Sequence, residues 1–290
     1  MQRQKYDAVV VGAGIAGIAA AYALSKAGAG RIALVENGPP LGLTSDKSTE
    51  CYRNFWPGPD DAMLRLVSDS IERLFEHADR SRDQFLLRQR GYVFATARGD
   101  EVDALAEQAA QLEAFGGGRL RHHDGTGNGT AYAPSPTGGF DRSLDGADLI
   151  TDRALIRDAF PYLSQDTIGV LHVRRCGALS AQQLGMYLLE EALAAGTELV
   201  VAECTGIETS GGRLASVNCR RDREELTLDA SALVLSPGPH LKALAALFPY
   251  FMPKQSETEV TINEAPREPS WFKDVEENEG LPPVNGLLDG

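Results

Sequence analysis

Three glycines near the amino terminus have the spacing that suits the binding of a dinucleotide. Gly12, Gly14 and Gly17 form the pattern G-x-G-x-x-G. In this pattern the first glycine allows a tight turn, the second lets the backbone approach a pyrophosphate, and the third lets a helix pack close to a strand. Glu36 follows about 20 residues later, where a carboxylate can accept hydrogen bonds from both hydroxyls of an adenosine ribose. This acid disfavours NADP, because it would repel a 2′-phosphate.

The next segment, residues 43–58, is rich in hydroxyl and charged side chains and ends in aromatic residues. One interpretation is a surface loop that its aromatic side chains anchor to the core. The other is a segment that lies along a cofactor, with Arg53 as a fixed cation facing a small anionic substrate. A salt bridge from Arg53 to Asp46 or Glu50 is the alternative role for this side chain. The hydroxyl groups predicted to donate hydrogen bonds to the cofactor belong to Thr44, Ser45, Ser48 and Thr49.

The elements that position the glycines are a strand, a helix and a second strand. Ala8–Val11 is a short apolar run typical of a strand buried on both faces. Residues 18–24 are predicted to be helical, and residues 31–35 to form the second strand, with Glu36 at its carboxyl end. Two alternatives compete with a nucleotide site: a signal peptide, since basic residues precede the apolar run, and a glycine-rich turn with no ligand.

The remaining chain alternates between helical and strand patterns, which predicts the α/β class. A helix is expected over residues 59–78, with Met63, Val67, Ile71, Leu74 and Ala78 on its buried face. Further helices are expected over residues 150–160 and after Ser180, which is predicted to cap its helix. Residues 121–146 are predicted to be a long loop and residues 177–179 a turn. Predicted strands cover residues 91–94, 169–173, 199–202 and 232–235, with an antiparallel ribbon from 207 to 229 that turns at residues 211–212.

Composition narrows the classes of partner. The 290 residues carry a formal net charge of -13 and a pI near 4.9, so nucleic acids and anionic membrane surfaces are not expected as partners. No run reaches the ~18 apolar residues of a membrane span. The four cysteines show no metal-type spacing, so no metal is expected, and they suit a reducing, cytoplasmic compartment. His122 and His123 lie in a polar, glycine-rich region and are predicted to be solvated.

Several of these motifs stand in the order found in one family. The chain resembles the FAD-dependent oxidoreductases of the D-amino-acid oxidase superfamily, in particular the sarcosine oxidase and glycine oxidase branch. The matching pieces are residues 11–17 with Glu36, then 44–53, 91–94, 160–169, 177–184, 196–207 and 234–238.

The resemblance implies a Rossmann-like FAD domain (residues 1–88 and 174–247) interleaved with a smaller α+β substrate domain (residues 89–173 and 248–290). It implies dehydrogenation of the C–N bond of a small amine or amino acid, by hydride transfer to flavin N5, with Arg53 holding the substrate carboxylate. In such proteins a backbone position equivalent to Cys204 contacts the adenine. The cofactor-binding residues are then expected to be Gly12, Gly14, Ile15, Ala16, Gly17, Glu36, Asn37, Thr44, Ser45, Ser48, Thr49, Cys204, Ser236 and Gly238.

The chain departs from the family pattern in two places. Pro237 stands where members commonly have Ala or Thr, and it removes one N–H from the turn beside the phosphates. Family members also usually continue well past the position of Gly290. The chain is therefore expected to be a fragment, to be completed by a second chain, or to have lost the chemistry. Three functions stay open: the flavoenzyme, a binding subunit without chemistry, and a nicotinamide enzyme that uses Glu36 for NAD.

Overall fold

Strands and helices alternate through most of the chain. The computed structural model describes residues 2–47, 50–56, 58, 60–127 and 130–245. The strands are β1 (Gln2–Lys5), β2 (Ala8–Val11), β3 (Ile32–Glu36), β4 (Cys51–Arg53), β5 (Tyr92–Thr96), β6 (Leu120–His123), β7 (Ala147–Ile150), β8 (Gly169–Val173), β9 (Cys176–Ala178), β10 (Glu198–Val201), β11 (Glu203–Ser210), β12 (Arg213–Arg221), β13 (Glu224–Asp229) and β14 (Ala232–Leu235). The helices are α1 (Ile15–Lys26), α2 (Thr44–Lys47), α3 (Ala62–Ser81), α4 (Gly99–Ala114), α5 (Arg153–Ala159), α6 (Ala181–Ala194) and α7 (Leu241–Ala245), with a 3₁₀ helix at Gly238–His240. The predicted α/β class is confirmed.

A parallel sheet in the order β10-β3-β2-β14, called the central sheet below, carries the glycine motif. All four residues of β2 are buried, as expected for an apolar strand covered on both faces. One face packs against α1, α3 and α6. The other face packs against strands of the ribbon sheet, which has the order β1-β13-β12-β11. Because the strands are parallel, the turns that follow β2, β3 and β14 lie at one edge of the sheet.

The helices that cover the central sheet bury narrow apolar faces. Helix α1 buries Gly17, Ile18 and Ala21. Helix α3 buries Leu64, Ile71, Phe75 and Ala78, whereas Met63 is 46% exposed, so the predicted buried face was wrong at its first position. The helical period passes through both sets of apolar residues, and packing decides which of them are buried. Ile71, Phe75 and Ala78 pack beside the central sheet, whereas Leu64 packs in a separate cluster with residues of β7 and β8. Among the described residues, no helix combines the length and apolar character that crossing a membrane requires.

Four strands in the order β5-β8-β7-β6 form the mixed sheet, and β4 pairs with β9 in a short ribbon. Three sequence-based predictions are wrong here. The predicted helix 150–160 begins only at Arg153, because β7 takes the residues up to Ile150. The predicted loop 121–146 begins with β6, and the predicted turn 177–179 is mostly strand β9. The segment 43–58 likewise contains α2 and β4. Each of these strands is defined by a distant partner strand, which local sequence patterns do not reveal.

A group of polar and charged side chains, most of them buried, lies against the mixed sheet, and we call it the buried polar cluster: Arg121, His123, Asp148, His172 and Arg174. Asp148 Oδ1 lies 2.7 Å from Arg121 Nε and 2.8 Å from His123 Nε2. Arg174 Nη1 lies 3.3 Å from Asp148 Oδ2 and 2.7 Å from His172 Nδ1. His123 is only 8% exposed, so the prediction that it is solvated was wrong, whereas His122 is exposed. The Asp148 carboxylate supplies the opposite charge that allows the Arg174 guanidinium to be buried.

The ionisation of this cluster follows from burial and from the neighbouring charges. Burial raises the pKa of Asp148, but the hydrogen bonds from Arg121 and His123 outweigh it and hold that pKa below its usual value. Burial, together with the positive charge of Arg174, lowers the pKa of His172 to about 4. His172 is therefore neutral near pH 7 and accepts the Arg174 hydrogen bond at Nδ1.

We expect the free energy of unfolding to decrease as the pH falls from about 6.5 to about 4. In this window the unfolded chain binds a proton at His172 and the folded chain does not, so acid favours unfolding by up to about 3 kcal/mol. Urea unfolding at several pH values measures the effect. His172→Gln should flatten the pH dependence in this window, whereas His122→Gln, at an exposed position, should not. Equal pH dependence in wild type and His172→Gln would contradict the assignment.

Candidate dinucleotide-binding site

Gly12 and Gly17 sit where no side chain fits. Gly12 has a φ of +99°, and a Cβ atom there would lie 2.3 Å from the carbonyl oxygen of Ser236. A Cβ atom on Gly17 would lie 1.8 Å from the carbonyl oxygen of Gly12. These contacts bring α1, the turn after β2 and the end of β14 together. The positive φ and the close approach require glycine at position 12, and the close approach alone requires it at position 17.

Gly14 differs, because its missing side chain leaves space on the side of a cavity. A Cβ atom on Gly14 would meet only Ser45 Oγ within 4 Å, at 3.5 Å. Gly14 is also the N-cap residue of α1. The Ile15 N–H donates to Ser45 Oγ at 3.0 Å, and the N–H groups of Ala16 and Gly17 belong to the first helical turn, which has no intrahelical acceptors. This helix end is suited to an anionic group such as a pyrophosphate.

Glu36, the last residue of β3, accepts hydrogen bonds from the turn after β2 and from the turn after β3. Its Oε2 accepts from the Ala13 N–H at 2.7 Å, and its Oε1 accepts from the Gly38 N–H at 3.0 Å. A carboxylate has about four acceptor positions, so each oxygen retains one for a further donor. A pair of vicinal ribose hydroxyls would supply two such donors.

These elements surround a cavity of about 650 Å³, within the usual range for ligand sites. Its walls are the ends of β2 and β3, the segment 37–45, the start of β11 and the turn after β14. Of the predicted cofactor residues, those that line it are Gly12, Gly14, Glu36, Asn37, Thr44, Ser45, Cys204, Ser236 and Gly238. Ile15, Ala16 and Gly17 lie directly behind the wall, in α1. Ser48 and Thr49 lie outside the described residues. The glycine cradle, the helix end and the acid fit an adenine dinucleotide.

Other residues of this site had no prediction. Leu41 is buried, adopts a φ of 62° and donates its N–H to the carbonyl oxygen of Ala13 at 2.9 Å. It packs where a Cβ on Gly185 of α6 would be, and so holds the segment 37–45 over the glycine turn. Pro239 and His240 extend the cavity wall past Gly238. Nothing in the local pattern around Leu41 indicates this role; Pro237-Gly238-Pro239 at least indicates a turn.

Arg53 lies apart from the cavity, at the end of β4. Its guanidinium carbon is 4.5 Å from the ring centroid of Trp56 and 5.9 Å from that of Tyr92, a cation–π arrangement. Within the described residues Arg53 forms no ion pair, and Asp46 pairs instead with Lys47. The salt bridge offered as an alternative for Arg53 is therefore not seen among them. The two aromatic contacts restrain the position of the guanidinium.

A parallel sheet with a glycine turn, a helix end and an acid at its carboxyl edge is the architecture of dinucleotide-binding α/β proteins. The profile of the DAO family, described as "FAD dependent oxidoreductase", matches residues 7–280. The chain belongs to this family, and the resemblance noted from the sequence is confirmed. FAD is the cofactor of the family.

Solved structures share this fold at low sequence identity. L-proline dehydrogenase from P. horikoshii has a TM-score of 0.66 and 17% identity, over 84% of this chain and 56% of its own. Glycine oxidase from Geobacillus kaustophilus has a TM-score of 0.64 and 19% identity, over 84% and 58%. L-amino acid deaminase from Proteus vulgaris has a TM-score of 0.63 and 18% identity, over 82% and 48%. The chain thus spans only about half the length of these proteins. A comparison with curated proteins finds no match.

Proposed function

We propose that this chain binds FAD in the cavity and takes part in dehydrogenating the C–N bond of a small amine or amino acid. The observation that carries the proposal is the convergence of the glycine turn, Glu36 and the end of β14 on one cavity. Family membership and the names of the solved relatives, which include a proline dehydrogenase and glycine oxidases, support the same class of substrate.

In this proposal each wall of the cavity holds one part of FAD. Glu36 accepts from the adenosine ribose, the first turn of α1 with Gly14 faces the pyrophosphate, and the backbone at Cys204 lies along the adenine. Ser236 and Gly238 close the phosphate side. Thr44 and Ser45 lead toward the isoalloxazine ring, which, when bound, supplies N5 as the hydride acceptor.

Arg53 is proposed to fix the carboxylate of the substrate. Its planar fork can bind both carboxylate oxygens at once. Contacts with Trp56 and Tyr92 restrain the guanidinium, so less side-chain freedom is lost on binding. The role of Arg53 is thus to orient the substrate, an effect distinct from bond breaking.

The interleaved domains are part of the proposal as well. The four strands of the mixed sheet fall between residues 92 and 173, inside the segment 89–173 assigned to the substrate domain. The central and ribbon sheets use residues from the two segments 1–88 and 174–247. Residues 248–290 lie outside the described part of the chain.

Glu36→Gln tests the cofactor site. The amide nitrogen cannot accept a hydrogen bond and faces a backbone N–H, so we expect FAD affinity to fall about 100-fold, equivalent to the loss of roughly 3 kcal/mol. Titration of the apoprotein with FAD, followed by visible absorption, measures it. Glu198→Gln is the matched control: this exposed residue on β10 pairs with Arg31. Wild-type protein that leaves the FAD spectrum unchanged would refute the cofactor site. Equal FAD affinity in Glu36→Gln and Glu198→Gln would refute it as well.

Arg53→Ala tests the substrate site. In the flavin-loaded protein we expect binding of an amino acid to weaken about 100-fold, since a two-point charged contact is lost, and binding of the corresponding amide to change little. Glycine and glycinamide form a suitable pair, with the perturbation of the flavin spectrum as the measurement. Arg65→Ala, at an exposed residue of α3, is the control. An unchanged preference for glycine over glycinamide would remove Arg53 from the site.

A second candidate is a flavin-binding subunit whose active site another chain completes. The observation behind it is that the chain spans 56% of the proline dehydrogenase and 58% of the glycine oxidase to which it is similar. Anaerobic addition of amino acids to the flavin-loaded protein separates the two candidates. Bleaching of the flavin band by the isolated chain favours the enzyme, and bleaching only after a copurifying chain is added favours the subunit.

A further inference from the structure

Two of the four cysteines face each other across the ribbon sheet. Cys204 on β11 and Cys219 on β12 are direct partners in the antiparallel register. Cys219 is fully buried, and Cys204 is partly exposed. Both pack into the apolar layer between the ribbon sheet and the central sheet. The other two cysteines, Cys51 and Cys176, lie opposite Ala178 and Arg53 instead.

Direct cross-strand partners lie within the range of Cα separations that a disulfide can span. Residues opposite each other in an antiparallel pair point to the same face, with Cα atoms roughly 4.5–5.5 Å apart. Disulfides span Cα separations of roughly 4.4–6.8 Å. The adjacent Cys219 side chain lowers the pKa of Cys204, which favours the thiolate, the reactive form of a cysteine.

Cys204 also lines the dinucleotide cavity, whereas Cys219 lies behind it. Because Cys204 is only partly buried, a small reagent that enters the cavity can approach this residue. A ligand bound at that wall would cover the same residue. This links the state of the cysteine pair to occupancy of the cavity.

We infer that Cys204 and Cys219 form a reversible disulfide in the wall of the cavity, and that a bound dinucleotide protects the pair from oxidation. The protection rests on the proposed FAD site; the disulfide itself does not. The oxidant is a low-molecular-weight disulfide. The Cys204 thiolate attacks one of its sulfur atoms, forming a mixed disulfide and releasing one thiolate. Cys219 then loses its proton and attacks Cys204 Sγ, which releases the second thiolate. Two protein thiols are oxidised and one small disulfide is reduced to two thiols.

The test exposes the apoprotein to 2-hydroxyethyl disulfide, a small neutral oxidant, with and without ADP. Remaining thiols are alkylated and the peptides are mapped by mass spectrometry. We expect a linked Cys204–Cys219 peptide without ADP. With ADP at about 100 times its Kd, its formation should slow about 100-fold, because only the unliganded fraction reacts. Exposed Cys51 is the internal control, since it should be modified at the same rate in both samples.

Two variants sharpen the result. In Cys219→Ala the reaction should stop at a mixed disulfide on Cys204, and in Cys176→Ala the linked peptide should still form. If Cys51 is modified but no linked peptide appears in wild type, the disulfide is refuted, whatever the FAD titration shows. If the peptide forms equally fast with ADP while FAD binds, protection is refuted and the cofactor site stands. If the peptide forms equally fast and FAD does not bind, the cofactor site fails and only the disulfide survives.

Discussion

Replacing Gly17 by alanine should destabilise the fold and abolish flavin binding together. The new Cβ atom would lie 1.8 Å from the Gly12 carbonyl oxygen and 3.3 Å from Ser236 Cβ. The closest contact is with backbone, which cannot rotate away as a side chain does. Relief requires α1 to move off the central sheet, where its small residues pack closely. We expect a loss of about 3 kcal/mol or more in the free energy of unfolding.

Two other glycine variants isolate this effect. Gly14→Ala should keep its stability within about 1 kcal/mol, since the added atom makes only an ordinary contact with Ser45, yet it should weaken FAD binding by narrowing the approach to the pyrophosphate. A Cβ atom added at Gly99 would have no neighbour within 4 Å, so Gly99→Ala should lower neither the stability nor the FAD affinity. Urea unfolding and FAD titration of the three variants measure both quantities. Wild-type stability of Gly17→Ala would show that α1 does not rest on the glycine turn as described.

The second large effect is expected from Asp148→Asn. Asp148 is the one carboxylate within the buried polar cluster, and it contacts Arg121, His123 and Arg174. Arg174 is 1% exposed, so an amide at position 148 would leave its charge buried without a counter-charge. Removing one partner of a buried ion pair costs about 3–5 kcal/mol. We expect a loss of that size, measured by urea unfolding near neutral pH.

Asp145→Asn provides a control that touches the same network. Asp145 lies 3.6 Å from Arg121, but its side chain is 48% exposed. Exposed ion pairs contribute about 0–1 kcal/mol, so this variant should unfold almost as the wild type does. Equal losses in the two variants would mean that burial of the charge is not what makes Asp148 important.

The sequence predicts best what depends on residues close together in the chain. Strand β2, the glycine turn and the cap of α6 follow from local patterns, and the structure confirms them, with Ser180 Oγ accepting from the Gln183 N–H at 3.3 Å. The β11–β12 hairpin was likewise readable from its two glycines. In each case the physical cause is a backbone conformation or a cap that a few neighbouring residues determine.

The features that were missed depend on distant partners. The residues of β9 have the sequence pattern of a turn. They form a strand because they pair with β4, which lies more than 100 residues earlier in the chain. His123 looks solvated until Asp148 is placed beside it. Leu41 becomes part of the site only because its N–H donates to the Ala13 carbonyl oxygen and its side chain packs against α6. No pattern within a short window contains this information, since the partner supplies the hydrogen bond or the buried surface.

The pairing of β2 with β14 has a consequence for how the protein is made. Ala8 lies beside Ala232, so the first strand of the central sheet meets its last neighbour only after almost all of the described chain has been synthesised. Contacts this far apart form slowly, because a long loop must close first. During synthesis on the ribosome, the edge of β2 that pairs with β14 therefore stays unpaired until β14 has emerged. If the chain is made faster than β14 pairs with β2, the apolar edge of β2 stays exposed in the nascent protein. Slower translation would therefore favour recovery of folded protein.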